Sequence, residues 1–320
     1  MDEYPHDLQE FDAWFGTEEA CRAYLVKLRW PKGFVCPYCG GTKAWKIRVI
    51  LWQCCACKRQ VSVTVGTVFQ DTRTPLRVWF QAMWWLTTQK NGASALGLQR
   101  VLGLRKYQTA WTWLHKLRSA MVRPGRDLLN GRVEVDETYL GGLEEGHPGR
   151  GTQNKALIVV AVEKVGKRSG RIRLSVIKSA SAENLLGFIQ ANIAPGSTVH
   201  TDGWKGYSGL SKLGYTHEVS VIRTSKAHDL LPRAHRVISL LKRWLLGTHQ
   251  GSVGYKHLDY YLDEFTFRFN RRTSKSRGML FYRLVQQSTM VEPLTYRMIV
   301  DQTTPQISNR TNHNPLGLHE

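Results

Sequence analysis

Residues 132–202 constrain the fold of this chain most, because their pattern changes from strand to helix and back to strand. RVEVDETYL, KALIVVAVE and RIRLSVI predict three successive β-strands with turn signals between them. SAENLLGFIQANI then predicts a helix capped by Ser181, and STVHTD predicts a fourth strand. We expect the helix to cross over, so that the fourth strand lies next to the first.

Two acidic residues occupy matching places in this pattern. Asp136 and Asp202 each end a short alternating run, so both are expected at strand ends, and Asp202 stands just before a glycine. A single strand-end acid is more often a turn residue, but two on neighbouring strands can clamp divalent cations against a phosphate. Three strands, a helix and a strand with the second acid form the order expected of an RNase H-like core. Glu134 and Glu137 flank Asp136 and are expected on the opposite side of the strand.

Five of the six cysteines fall between residues 36 and 57, where they form two C-x2-C pairs. The candidate ligands are Cys36, Cys39, Cys54 and Cys57. Four thiolates at this spacing predict a tetrahedral zinc site, whereas disulfides are disfavoured in a reducing cytosol. Cys55 is expected to be a bystander and Cys21 a core thiol. The alternating run after the cysteines predicts the hairpin of a zinc ribbon, either as a basic binding platform or as a purely structural module.

The stretch from Thr74 to Met121 has helical periodicity. Its middle part predicts helix, short turn at Gly103, and helix, which is the outline of a helix-turn-helix, although any αα-hairpin has the same pattern. In a helix-turn-helix, the second helix begins at the residues that contact bases or phosphates, here Arg105, Lys106 and Gln108. The apolar residues Trp111, Trp113 and Leu117 are predicted to be core.

The chain carries a formal net charge of +20, with 45 Lys and Arg against 25 Asp and Glu. Such an excess favours a polyanion as partner, and DNA is the first expectation. A membrane is the competing partner for a basic protein, but the sequence has no apolar run of about 18 residues and no signal peptide. We therefore expect no membrane partner and a cytoplasmic, nucleoid-associated location.

Several motifs together resemble the zinc-ribbon insertion-sequence transposases of the DDE type. They are CPYCGG with CCAC, then VEVDETYLGG, VHTDGWKGY, HRVISLLKRWLLGTHQG and FRFNRR, in this order. The resemblance covers most of the chain. It implies a multi-domain α/β protein whose RNase H-like mixed sheet with flanking helices follows a zinc ribbon and a helix-turn-helix-like region. It also implies magnesium or manganese as catalytic metal, action on the inverted-repeat ends of a mobile element, and Asp136 and Asp202 as the first two metal ligands.

The third ligand position departs from the simplest DDE pattern, because His235 stands where a glutamate is expected. The resembled group accepts Glu, Asn or His there with a lysine downstream, which implies a role for Lys242. His235, Ser239 and Lys242 share one helical face. A histidine in place of a carboxylate removes one negative charge from the site, and manganese suits it better than magnesium. Glu264 is the fallback carboxylate.

The domain organisation follows from these motifs. We expect a zinc-ribbon region at residues 1–72, a helical DNA-binding region at 73–125, the RNase H-like catalytic domain at 126–290, and a flexible tail at 291–320. Arg268, Arg271 and Arg272 are expected beside the catalytic helix, where DNA passes. Two ends must be synapsed, which predicts a homodimer in the complex with DNA.

Three functions fit this sequence. The first is a transposase that cleaves element ends and joins them to target DNA. The second is a decayed or domesticated zinc-ribbon and helix-turn-helix DNA-binding protein without catalysis. The third is an RNase H-like nuclease without strand transfer. The intact DETY and TDG motifs favour the first over the second.

Overall fold

The computed structural model describes residues 3–48, 51–123, 125–141, 155–220, 230–250 and 253–301. The chain forms two compact units, one from Met1–Gly125 with Thr273–Glu320 and the other from Arg126–Arg272. No helix within these described ranges has both the length and the apolar character needed to cross a membrane.

The N-terminal part of the first unit contains a small sheet framed by helices. Its elements are α1 (Leu8–Trp14), α2 (Glu18–Arg29), β1 (Ala44–Arg48), β2 (Leu51–Cys54), β3 (Gln60–Ser62), α3 (Leu76–Thr88), α4 (Ala95–Leu102) and α5 (Tyr107–Ser119). The three strands pair antiparallel in the order β1-β2-β3. This sheet confirms the strands predicted beside the cysteines.

Helices α4 and α5 form the predicted pair of helices joined by a short turn, the outline that a helix-turn-helix shares with any αα-hairpin. Helix α4 ends at Gly103, which adopts the left-handed conformation (φ 61°) that favours glycine, and the Leu104 N–H then bonds the Gln99 carbonyl at 2.9 Å. Trp113 of α5 is buried and stacks on Trp79 of α3 with ring centroids 3.8 Å apart. This packing confirms the prediction that Trp113 belongs to the core.

The second unit is built on a five-stranded mixed sheet. Its elements are β4 (Arg132–Leu140), β5 (Ala156–Val165), β6 (Arg168–Ile177), α6 (Ala182–Asn192), β7 (Thr198–Asp202), β8 (Thr216–Ser220), α7 (Pro232–His249) and α8 (Leu258–Asn270). The strand order is β6-β5-β4-β7-β8; β4 pairs antiparallel with β5 and parallel with β7. The predicted crossover is confirmed, and the sheet has RNase H-like order.

Helices cover both faces of this sheet. On one face, Ile158, Val160 and Val162 of β5 pack in one core with residues of α7 and α8. On the other face, Val159 and Ala161 pack with residues of α6. A strand buried on both faces needs apolar residues at every position, which explains the unbroken apolar run LIVVAV.

The chain returns to the first unit after residue 272 with α9 (Arg277–Ser288) and α10 (Tyr296–Asp301). The second unit therefore ends before the predicted boundary at residue 290, because α9 packs on α3 and places Phe281 against Phe80 and Trp84. Gly278 allows a close approach, since a Cβ there would lie 1.6 Å from the Pro5 carbonyl oxygen. Of the tail predicted to be flexible, residues 302–320 lie outside the described residues.

Candidate functional site

Strand β4 and helix α7 bring Asp136 and His235 together. The Nε2 atom of His235 lies 3.3 Å from Oδ2 of Asp136, and the Glu137 N–H donates to Oδ1 of Asp136 at 2.9 Å. The Asp136 side chain is only 14% exposed. Burial raises the pKa of Asp136 to about 6, although the nearby His235 acts in the opposite direction. A half-buried carboxylate of this kind gains stability from a bound cation.

Asp202 ends strand β7 at the level of Asp136. Asp136 itself lies in the middle of β4, so the prediction that it ends its strand was wrong. In the parallel pairing of β4 and β7, Arg132 lies opposite Thr198 and Glu134 lies opposite His200. Asp136 and Asp202 each follow two residues further along their strands, so the same register sets them level with each other. Oδ1 of Asp202 accepts the Trp204 N–H at 3.0 Å, and the Trp204 indole N–H donates to the Ala180 carbonyl at 2.9 Å. The turn after β7 thus fixes the second carboxylate.

Gly206 is required by this turn. A Cβ at residue 206 would come within 2.7 Å of the Trp204 indole nitrogen and 2.8 Å of Leu185. In the sequence GWKGY, the indole ring of Trp204 therefore packs directly on the backbone of Gly206. Sequence reasoning used this motif for the resemblance but missed that Trp204 supports Asp202.

Of the two glutamates beside Asp136, one lies on the predicted side of β4 and the other does not. Glu137 does lie on the other side of β4, where its Oε2 accepts the Tyr207 hydroxyl at 2.7 Å. Glu134 is on the same side as Asp136, because side chains two residues apart on a strand share a face. Its carboxylate bonds Arg233 and Ala234 at the start of α7, so the prediction for Glu134 was wrong.

The rest of the predicted catalytic face of α7 is open. Ser239 and Lys242 are exposed, while His235 is partly buried. The i, i+4, i+7 spacing places these side chains along one stripe, with the histidine nearest to β4 and the lysine further along the helix. The ligand set of Asp136, Asp202 and His235 suits magnesium or manganese in chemistry, since it combines two carboxylates with an imidazole.

The three arginines predicted to contact DNA have partners in the protein. Arg268 Nε lies 2.9 Å from Oε1 of Glu264, and the Glu264 side chain is fully buried. Arg271 lies over the Phe267 ring, and Arg272 lies over the Phe269 ring and donates to the carbonyls of Ser169 and Gly170. Glu264, the carboxylate considered as an alternative metal ligand, is therefore paired with Arg268.

The four predicted cysteines meet in the first unit. Their sulfur atoms all lie within 4.8 Å of one another, with Cys36 and Cys57 3.7 Å apart and Cys39 and Cys54 3.6 Å apart. Tetrahedral zinc with bonds of about 2.3 Å requires sulfur atoms roughly 3.8 Å apart, so the cluster fits zinc. Cys21 is fully buried, which confirms it as a core thiol.

In the part of the chain that the structure describes, the cysteine cluster is the one group of three or more His, Cys, Asp or Glu side chains found close enough together to hold a metal ion. Asp136, Asp202 and His235 do not form such a group with their side chains as placed, although His235 approaches Asp136 to 3.3 Å.

The start of α5 presents the predicted DNA-contacting residues to solvent. Arg105, Lys106 and Gln108 are all exposed, and Tyr107 between them is 52% exposed. The helix begins at Tyr107 with no side-chain cap from Lys106, although the Thr109 N–H donates to the Lys106 carbonyl at 3.1 Å. Helix N-termini of this kind attract phosphate groups.

An RNase H-like sheet with an acidic residue on each of two adjacent strands, preceded by a four-cysteine zinc ribbon, defines the class of protein. Residues 128–270 match the ISXO2-like transposase domain, and residues 16–60 match the transposase zinc-ribbon domain. The chain therefore belongs to the zinc-ribbon insertion-sequence transposases of the DDE type.

Comparison with individual proteins gives a relative in a mobile element. The chain is 28% identical over 278 residues to an uncharacterized protein in transposable element ISH50 of Halobacterium salinarum, over 79% of this chain and 91% of that protein. A chain in the cryo-EM structure of the simian T-cell lymphotropic virus intasome in complex with PP2A regulatory subunit B56 gamma aligns with 13% identity over 69% of this chain and 76% of that chain. Its TM-score is 0.32.

Proposed function

We propose that this protein is an active DNA transposase. It binds the inverted-repeat ends of an insertion sequence and catalyses metal-dependent strand cleavage and transfer into target DNA. The observation that carries this proposal is the approach of His235 on α7 to within 3.3 Å of Asp136, with Asp202 level with Asp136 on the adjacent strand.

Asp136, Asp202 and His235 would hold the catalytic magnesium or manganese, which would supply Lewis-acid activation for in-line attack at phosphorus and charge stabilisation of the leaving group. The Glu137 N–H orients the Asp136 carboxylate, and the Trp204 N–H orients that of Asp202. His235 must present a neutral Nε2 to act as a ligand.

Lys242 contacts a phosphate of the element end. It is exposed on the same helical stripe as His235, and an ammonium there compensates phosphate charge without occupying the metal site. No nucleophilic side chain is needed, since water and then the freed 3′-hydroxyl are the attacking groups.

DNA recognition is carried by the first unit and by charges around the sheet. Arg105 and Lys106 bind phosphates, and Gln108 reads a base edge, for which adenine is the preferred partner of a glutamine. Arg271 and Arg272 add phosphate contacts from the end of α8. Arg268 supports α8 through Glu264 and contributes to DNA binding through that helix. The protein acts in the cytoplasm on the nucleoid, as a homodimer that synapses two ends.

The decisive experiment incubates the purified full chain with labelled element ends, target DNA, and magnesium or manganese. Joined product is the result we expect. Cleavage without joining would identify a nuclease, and binding without cleavage would identify a DNA-binding protein derived from a transposase.

Substitutions test the ligand set in the same assay. Asp136→Asn and Asp202→Asn should abolish cleavage while end binding is retained, because only the metal ligands change. His235→Ala should be severe and His235→Glu tolerated, since glutamate restores a hard oxygen ligand and a negative charge. Strand transfer that persists in either aspartate variant, or an active His235→Ala, would remove that residue from the site.

A further inference from the structure

Glu134 makes three close contacts with the start of the helix that carries His235. Its Oε2 accepts the backbone N–H of Arg233 at 2.7 Å and that of Ala234 at 3.0 Å, and its Oε1 accepts from the Arg233 guanidinium at 2.8 Å. The Glu134 side chain is 3% exposed. A buried carboxylate that accepts three hydrogen bonds, one of them from a cation, is held in a fixed position.

Helix α7 has no cap of its own. Leu231 precedes the helix and makes no side-chain cap bond, and Pro232 at the first helical position has no N–H. The next two N–H groups, of Arg233 and Ala234, are the ones that Glu134 accepts. Strand β4 therefore supplies the cap for α7 through Glu134, a residue distant in sequence. The negative charge of Glu134 also interacts favourably with the positive N-terminal end of the helix dipole.

The same strand contacts the next residue of the helix through Asp136. His235 follows Ala234 directly, and its Nε2 lies 3.3 Å from Oδ2 of Asp136. Glu134 and Asp136 stand two residues apart on one face of β4, so the helix start and the histidine are fixed against a single rigid strand. A shift of α7 by a fraction of a turn would break the cap and separate His235 from Asp136 together.

We propose that Glu134 is a positioning residue of the catalytic site, which sets the position of His235 for the metal by capping α7; this inference rests on the proposed function. Residues that orient metal ligands typically contribute 10–100-fold to metal affinity. Loss of the cap allows the first turn of α7 to loosen, so the imidazole is no longer held beside the carboxylates.

The test is a double-mutant cycle on the zinc-loaded full chain with Mn²⁺ as probe. Mn²⁺ affinity is measured by electron paramagnetic resonance for the unaltered chain, Glu134→Gln, His235→Ala and the double variant. We expect Glu134→Gln to weaken Mn²⁺ binding about 10–100-fold and to have no added effect when His235 is absent. An equal loss with and without His235 would mean that Glu134 is merely structural and would overturn the inference.

A matched control comes from a carboxylate on strand β8 that pairs with β4. Glu218 lies 2.6 Å from Arg132. Among the described residues, Glu218 makes no hydrogen bond or ion pair with α7. Glu218→Gln should leave the Mn²⁺ affinity unchanged, and a loss equal to that of Glu134→Gln would overturn the inference. If Glu134→Gln does not fold, Arg233→Gln takes its place in the cycle. It removes only the Oε1 contact, and its smaller loss must again disappear without His235.

The cycle also separates this inference from the proposed function. If His235→Ala binds Mn²⁺ as the unaltered chain does, His235 is not a ligand and both proposals fail. If His235→Ala binds weakly while Glu134→Gln binds normally, the ligand set stands and only the role of Glu134 is overturned.

Discussion

Buried carboxylates in the second unit differ in what surrounds them. Glu163 accepts the N–H groups of Asn130 and Arg171 and the guanidinium of Arg171, at 2.7–3.1 Å. Asp136 has one backbone N–H and an imidazole at 3.3 Å. Burial acts to raise the pKa of both, but the hydrogen bonds to Glu163 outweigh it and lower its pKa, whereas the pKa of Asp136 rises to about 6. Glu163 is thus satisfied by donors within the protein, whereas Asp136 has fewer donors, which suits its proposed role as a metal ligand.

Glu163→Gln should therefore destabilise the protein in a pH-dependent way. A group whose pKa is lower in the folded state adds stability above its unfolded pKa, ordinarily 4.5, and this stability is lost as the pH falls through the folded value. We expect the variant to lose about 1–3 kcal/mol at pH 7, the range for a broken charged hydrogen bond. Denaturant unfolding at pH 7 and at pH 3 measures this difference.

The stability difference between the unaltered chain and Glu163→Gln should shrink as the pH falls from 4.5 through the lowered pKa of folded Glu163, because protonation weakens its hydrogen bonds to Arg171 and Asn130. Arg171→Met gives the companion measurement, since it removes the guanidinium that contacts Glu163. A stability difference that is the same at both pH values would contradict this account of Glu163.

At the scale of elements, the sequence predicted what depends on local pattern. The strands, the crossover helix and the cysteine pairs were found from alternation, capping and spacing. The packing of α9 on α3 was not predicted, because an amphipathic helix shows which face is buried but not what buries it. The cap of α7 by Glu134 was missed for a similar reason: its partners, Arg233 and Ala234, are distant in sequence and bond through backbone groups.

Helix α8 covers the outer edge of strand β6. The Asn270 side chain accepts the Ile172 N–H at 2.8 Å and donates to the Ile172 carbonyl at 3.3 Å. Since β6 is an edge strand of the sheet, these bonds pair backbone groups that have no neighbouring strand on that side. We expect Asn270→Ala to cost about 1–3 kcal/mol of unfolding free energy.

Hydrogen exchange locates this effect. In Asn270→Ala the amide of Ile172 should exchange faster, while amides of the central strand β5 keep their protection. Unchanged protection at Ile172 would show that α8 does not hold the edge through this side chain.

The folding of the three-stranded sheet β1–β3 should depend on bound zinc. Strands β1–β3 have few buried apolar residues, with only Val61 and Cys54 fully buried, so four metal–sulfur bonds are the main restraint on this sheet. Cys36→Ser should lose zinc and the protection of β2 from hydrogen exchange.

Cys55→Ser is the matched control, because Cys55 lies between two ligands but is outside the four-sulfur cluster. It should keep one zinc per chain, as measured by metal analysis of the purified protein. Loss of zinc in Cys55→Ser with retention in Cys36→Ser would reverse the ligand assignment.

At the scale of the whole molecule, a net charge of +20 dominates encounters with DNA. Each phosphate contact releases counterions, so affinity should fall steeply as salt rises. For six to ten contacts, binding of an element end should weaken about 10³–10⁵-fold between 50 and 200 mM salt. Fluorescence anisotropy with a labelled end measures the dissociation constant across this range.

Substitutions show how much of the salt dependence of DNA binding comes from contacts at α5 and how much from the net charge of the whole molecule. Arg105→Ala with Lys106→Ala removes two exposed charges at the start of α5 and should lower the slope of log affinity against log salt by about 2. Lys27→Ala is the control in the same unit, because Lys27 pairs with Glu3 at 3.9 Å and should leave the slope unchanged. If the Arg105→Ala, Lys106→Ala variant has the same salt slope as Lys27→Ala, the positive field of the whole molecule attracts DNA without α5. The residues after Gly103 would then form a structural helical hairpin.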